Sequence, residues 1–299
     1  MSVTTGACWR GIMQVRALRS LPLALTIAGL AIVGLAGCEP FPVHLDPLNV
    51  NGRDGGGSPP SYAALMRIGA AALASGDYTN ALSVFRRAAE IEPAAAAPFV
   101  ASGDALLQIG SVDEAIVAYN SALARDGDDL PAQLGLARAY LETGRPELAF
   151  VPLGKALAAD PRDPKPLLLL GVAKDLAGQH LSAQDTYRRG LGLAPGDPAL
   201  TVDLALSLAL AGNYPAAVGV LEPIAMASAG SAQERQSLAL IYGLQGSDAE
   251  AVRLGRMDLD EAAVEHNLAY YRILRELPPN VRARALLSAG GVPRTARSS

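Results

Sequence analysis

Five side chains could supply thiol or imidazole chemistry near neutral pH: Cys8, Cys38, His44, His180 and His266. A zinc site needs three or four such ligands held together, and these five are scattered, with no HExxH among them. No serine stands in a nucleophile elbow, and no glycine-rich loop follows a strand-like run. Acid pairs such as Asp128-Asp129 fall between helical stretches, where carboxylates start the next helix. The chain is therefore expected to be no enzyme and to need no cofactor or metal. Its formal charge of -4 offers nucleic acid no electrostatic attraction. Cys38 differs from the other four, because it directly follows Leu35-Ala36-Gly37 at the end of an apolar run.

The elements around Cys38 suggest its chemistry. Arg10, Arg16 and Arg19 precede the run Leu21–Leu35, whose 15 residues fall short of a bilayer span. Cations, a short apolar stretch and then small residues make a secretory signal over 1–37; both Met1 and Met13 offer a start. The Leu-Ala-Gly-Cys sequence resembles the bacterial lipobox, which implies cleavage before Cys38 and lipidation of its thiol. Processing would remove three arginines and Cys8, leaving 22 cations against 29 acids, a charge of -7. One cysteine then remains, so no disulfide can form within the mature chain. Glu39 stands where an aspartate would retain a lipoprotein in the inner membrane, so the resemblance implies the periplasmic face of the outer membrane. Residues 38–61 are expected to be a tether, since Glu39–Ser61 holds five prolines and four glycines. His44 lies within it and is expected to be solvated.

The remainder is rich in Ala and Leu and poor in aromatic residues, which make up 5% of the chain, so helix is expected throughout. Gly76, Gly110, Gly144, Gly178, Gly212 and Gly246 recur every 34 residues. An alanine follows each by five, from Ala81 to Ala251, and a small residue precedes each by seven, from Gly69 to Ala239. Such glycines close helices in the left-handed conformation, and the small residues let antiparallel helices approach closely. This pattern resembles the tetratricopeptide repeat, which implies an all-α, right-handed α-solenoid of helix-turn-helix repeats with a C-terminal capping helix. Counting Tyr62 as position 1 places five clear repeats and a degenerate sixth within 62–257. Residues 258–279 are expected to cap the solenoid, with Asp258-Leu259-Asp260-Glu261 capping the start of a helix, Leu268, Tyr271 and Leu274 on one face, and Pro278-Pro279 ending it. The basic stretch 280–299 is expected to be a partly disordered tail.

In such repeats the first helices line a concave face, and positions 2, 5, 6, 9, 12 and 13 are expected to point into it. These supply Met66, Leu73, Val100, Leu107, Leu134, Leu141, Leu168, Leu169, Val172, Val202 and Leu206, with Asp104, Arg138, Glu142, Lys165, Asp175 and Asp203 among them. The set lacks the asparagine of carboxylate-clamp domains, so a helix or extended peptide held by apolar anchors suits it better. Packing of these leucines within the solenoid is the competing role. His180 is expected to pack at a helix start and His266 to sit on the surface.

Three C-terminal segments narrow the family: Glu234–Leu244, Gly255–Leu259 and Asn267–Tyr271. They resemble the TadD family, tetratricopeptide lipoproteins of the Flp/Tad (tight adherence) pilus system. The resemblance implies a pilotin-like, lipid-anchored adaptor whose partner is the pilus secretin or another pilus component. A general periplasmic scaffold for peptidoglycan or envelope-assembly enzymes is the alternative.

Overall fold

A computed structural model describes residues 59–287. Cys38, the signal segment, nearly all of the tether and residues 288–299 lie outside the described residues. Fourteen α-helices and no strands fill the described residues. Five pairs come first: α1 (Tyr62–Ala74) with α2 (Tyr78–Ile91), α3 (Ala97–Gln108) with α4 (Val112–Leu123), and α5 (Leu130–Glu142) with α6 (Pro146–Ala159). The others are α7 (Pro164–Leu176) with α8 (His180–Leu193), and α9 (Pro198–Leu210) with α10 (Tyr214–Ala225). A sixth pair, α11 (Ala232–Gln245) and α12 (Asp248–Gly255), has a second helix of only eight residues. Then follow α13 (Glu261–Glu276) and α14 (Pro279–Leu287).

Local chemistry sets the boundaries. The six register glycines all have φ between +68° and +95°, so each first helix closes in the left-handed conformation. Between pairs, Asp129, Asp163 and Asp197 cap α5, α7 and α9 by accepting from backbone N–H groups at 2.7, 2.9 and 2.9 Å. Prolines follow within the first turn of each, where no intrahelical N–H is lost.

Each pair closes over one contact whose two sides are matched in size. Position 24 of the second helix is fully buried as Phe85, Tyr119, Leu153, Tyr187 and Leu221 in turn. Position 8 of the first helix faces it as Gly69, Gly103, Ala137, Gly171 and Ala205. Glycine stands wherever position 24 is aromatic, and alanine wherever it is leucine. A Cβ on Gly69, Gly103 or Gly171 would come within 2.4, 2.6 or 2.2 Å of the ring, far inside van der Waals contact. In the sixth pair position 24 is Gly255, and the missing ring comes from α13: Tyr271, 2% exposed, lies against Gly243 of α11. Thus α13 covers the last repeat. Its N-cap is Asp260, which lies within the segment Asp258–Glu261 and accepts from the Ala263 N–H at 2.8 Å. Asp258 instead pairs with Arg235 of α11.

First helices touch from pair to pair, α1 on α3 and so on to α9 on α11, whereas no second helix touches another. The chain must therefore curve with the first helices on the inside. The expected all-α solenoid is what forms. The sequence reading departs from the structure beyond Pro279, where residues 280–287 belong to a helix rather than a tail.

Candidate functional site: the concave face

The face built by α1, α3, α5, α7 and α9 falls into two halves. Over α1, α3 and α5, Met66, Leu73, Val100, Leu107 and Leu134 are half-buried, so each keeps part of its surface exposed. Each also packs against buried core residues, so apolar contact and partial exposure coexist. Arg138 and Glu142, one turn apart on α5, are exposed. Glu142 has its carboxyl pKa raised by burial, and Arg138 offsets part of that rise. Asp104 is partly buried and accepts a 2.7 Å hydrogen bond from the Tyr119 hydroxyl. The tyrosine that fills the repeat core thus fixes a carboxylate at the groove floor. Burial and the bonded Asp104 both raise the Tyr119 pKa, so this hydroxyl stays a donor.

The other half is arranged differently. α14 lies on α7, α9 and α13, and on no second helix, so it sits within the concave face. Its Ala283 and Leu286 are buried, with Leu168 and Val172 packed against the same core. Arg282 donates to the carbonyls of Leu274, Arg275 and Leu277 at 2.9, 2.8 and 3.1 Å, tying α14 to the C-terminal end of α13. The Arg284 guanidinium reaches the end of α5, 3.9 Å from where a Cβ on Gly144 would stand.

Several expected groove residues therefore differ from their expected setting. Val202, Leu206 and Leu141 are buried. Asp175 is fully buried and lines no open surface. It accepts from Ser207 Oγ at 2.7 Å and from the Tyr187 hydroxyl at 3.1 Å, and His180 Nδ1 lies 2.8 Å from it. Burial of a carboxylate is tolerable only with such partners. Asp175 therefore joins α7, α8 and α9 from within, and His180, expected simply to pack, is part of that network. Asp203 is partly exposed yet deep among protein atoms. Burial first, then the charges of Asp175 and Asp197, push its pKa up to about 7. Leu169 is half-buried and Lys165 exposed, and His266 is exposed on α13.

The sequence reading missed α14. Pro279 suits the stop of the preceding helix, but proline is equally at home in the first turn of a new one. Val281, Ala283, Ala285, Leu286 and Leu287 supplied an apolar signal among the arginines.

Residues 53–98 and 100–164 match the tetratricopeptide repeat family, and the described residues form a tetratricopeptide-repeat solenoid. No curated protein matches the chain. Solved structures share the fold. PilF of Pseudomonas aeruginosa is 19% identical with a TM-score of 0.56, covering 70% of this chain and 97% of that one. PilW, described as a widely conserved type IV pilus biogenesis factor, is 19% identical with a TM-score of 0.60, covering 70% and 94%. The Cut9–Hcn1 hetero-tetramer of the APC/C is also 19% identical, with a TM-score of 0.59 over 71% of this chain and 43% of that one. At such identity the likeness concerns the fold.

Proposed function

We propose that the protein is a lipid-anchored adaptor of the outer membrane that binds a component of a Flp/Tad-type pilus, the secretin foremost, in a pilotin-like role. The observation that carries this reading is the open half of the concave face. Met66, Leu73, Val100, Leu107 and Leu134 offer apolar anchors there, flanked by Arg138, Glu142 and Asp104. Helix-in-groove and extended-peptide recognition both use such a surface. The pilus assignment draws on the resemblance of 234–244, 255–259 and 267–271 to the TadD family. That PilW, a protein of the same fold, is a pilus biogenesis factor agrees with it.

Those three segments form one unit in the structure. Arg235 and Asp258 pair across them, Asn267 is buried, and Tyr271 fills the last repeat. The residues behind the resemblance thus build the cap of the solenoid. In the adaptor, acyl groups on Cys38 hold the chain at the membrane, residues 39–61 give reach, and the groove engages the partner. Cys38→Ser tests the anchor. We expect the variant to leave the membrane fraction, with secretin multimers and piliation reduced; an unchanged distribution and normal piliation would overturn the reading.

A further inference from the structure

The second helices form the outer side of the repeats, and one of them, α6, matches itself when reversed. We propose that a second copy of this chain docks antiparallel on α6, across a two-fold axis at Val151. This contact lies away from the first helices and is independent of what the groove binds.

The exposed face of α6 is apolar where the fold gains nothing from it. α6 packs on α5 and α7 alone, and Val151 and Leu148 stand clear of both, 68% and 49% exposed. A β-branched residue on the solvent side of a helix lowers its stability slightly, and Val151 makes no core contact that would offset this. The charges around it are unused as well. Glu147 and Lys155 lie four residues before and after Val151, on the same ridge of the helix. Both are exposed, and neither makes an ion pair among the described residues. The helix dipole suits Glu147, which is in the first turn, but Lys155 lies short of the last turn.

Symmetry gives these residues partners. When two copies of a helix meet antiparallel about a two-fold axis, residues equally far before and after the axis face each other. About Val151, Glu147 faces Lys155 of the second copy, Leu148 faces Gly154, and Val151 faces itself. Acid thus meets cation twice. Leucine twice meets a glycine that has nothing within 4 Å of where its Cβ would stand, so the space for the leucine is open. The other second helices fail the same reversal. In register with Val151 stand Ser83 on α2, Val117 on α4, Asp185 on α8 and Gly219 on α10. About Val117, Asp113 and Glu114 would meet Ser121 and Asn120, so neither acid gains a cation. Asp185 would meet its own copy, a like-charge contact that opposes docking. Ser83 and Gly219 offer no apolar centre. Only α6 joins an apolar centre to reciprocal charge, so the occupant that fits it is another α6. One helix face per chain buries less than the roughly 1,600 Å² of a standard interface, so the dimer is a reversible one that leaves two concave faces open.

The test is sedimentation velocity of the full-length chain in detergent over a concentration series. Glu147→Lys and Lys155→Glu each set like charges together at both ends of the contact, and each should weaken dimerisation about tenfold. The double variant carrying both exchanges restores the opposite charges and should dimerise as the unaltered chain does. All these side chains are exposed, and circular dichroism checks that each variant keeps its helices. A second measurement places the axis. Val151→Cys brings two thiols together across it, within the roughly 7 Å between Cα atoms that a disulfide allows. On mild oxidation it should give covalent dimer about tenfold faster than Val117→Cys, whose site is 66% exposed. A chain that stays monomeric throughout the series would overturn the proposal. So would a dimer indifferent to the single exchanges, a double variant no better than the singles, or equal crosslinking from the two cysteines.

Discussion

Gly171 shows how narrowly the repeat core is fitted. A Cβ there would come within 2.2 Å of the Tyr187 ring, and the ring is fully buried with its hydroxyl bound to Asp175. Gly171→Ala should therefore cost about 1–3 kcal/mol through overpacking. Gly154, exposed within α6 with nothing near its would-be Cβ, should respond oppositely: Gly154→Ala should stabilise by about 0.5–1 kcal/mol through helix propensity. Urea denaturation of both variants checks the pair, and equal shifts would refute the size matching. Asp203 carries a second residue-scale consequence. Its pKa rises from an unfolded value of about 3.9 to about 7 in the folded chain, so the folded state prefers the protonated form. The associated stability is fully present below about pH 4 and is lost as pH rises through about 7. Asp203→Asn should remove this dependence and stabilise by about 4 kcal/mol at pH 8, with little change at pH 4. Thermal melts across that window would show it; parallel pH profiles would rule it out.

Among the elements, those with strict spacing were legible in the sequence and those with single roles were not. The helix pairs follow from a 34-residue glycine register repeated six times and from capping aspartates at three of the junctions, because each signal is local. At the start of α13 two aspartates compete for the cap, and spacing alone does not choose between them. Asp258 is drawn away by the Arg235 guanidinium, which holds its carboxyl below the usual range, and Asp260 takes the cap. The pair is largely shielded, with side-chain exposures of 19% for Arg235 and 9% for Asp258. Asp258→Asn should leave the arginine short of its partner and cost about 3 kcal/mol, lowering the melting temperature. An unchanged melting temperature would mean the pair is incidental to the cap. α14 was illegible because what stabilises it is tertiary. Nine residues with alternating arginines carry little intrinsic helix stability, and only the seat on α7 and α9 provides the partner surface.

At the scale of the molecule, the sequence specified which face would be concave but not how much of it would be free. The repeat positions placed Leu168, Val172, Val202 and Leu206 toward the groove. That a distant segment returns to lie over them depends on the packing of α14 on α7 and α9, helices far from it in the chain. Asp175 was misread for a related reason. Its place in the register matches a lining residue, whereas its partners, Ser207 and His180, come from neighbouring helices. What remains open is the half over α1, α3 and α5, and the adaptor account requires that half to be the partner's contact. A photo-crosslinking side chain placed at Leu107 of the full-length chain, in its native cells, tests this most directly, with Val117 on α4, 66% exposed, as the outer-face control. A covalent adduct to the pilus secretin or another pilus component is expected from Leu107, none from Val117, and loss of the adduct when Leu134→Glu is added. Adducts of equal yield from both positions, or none from Leu107, would contradict it.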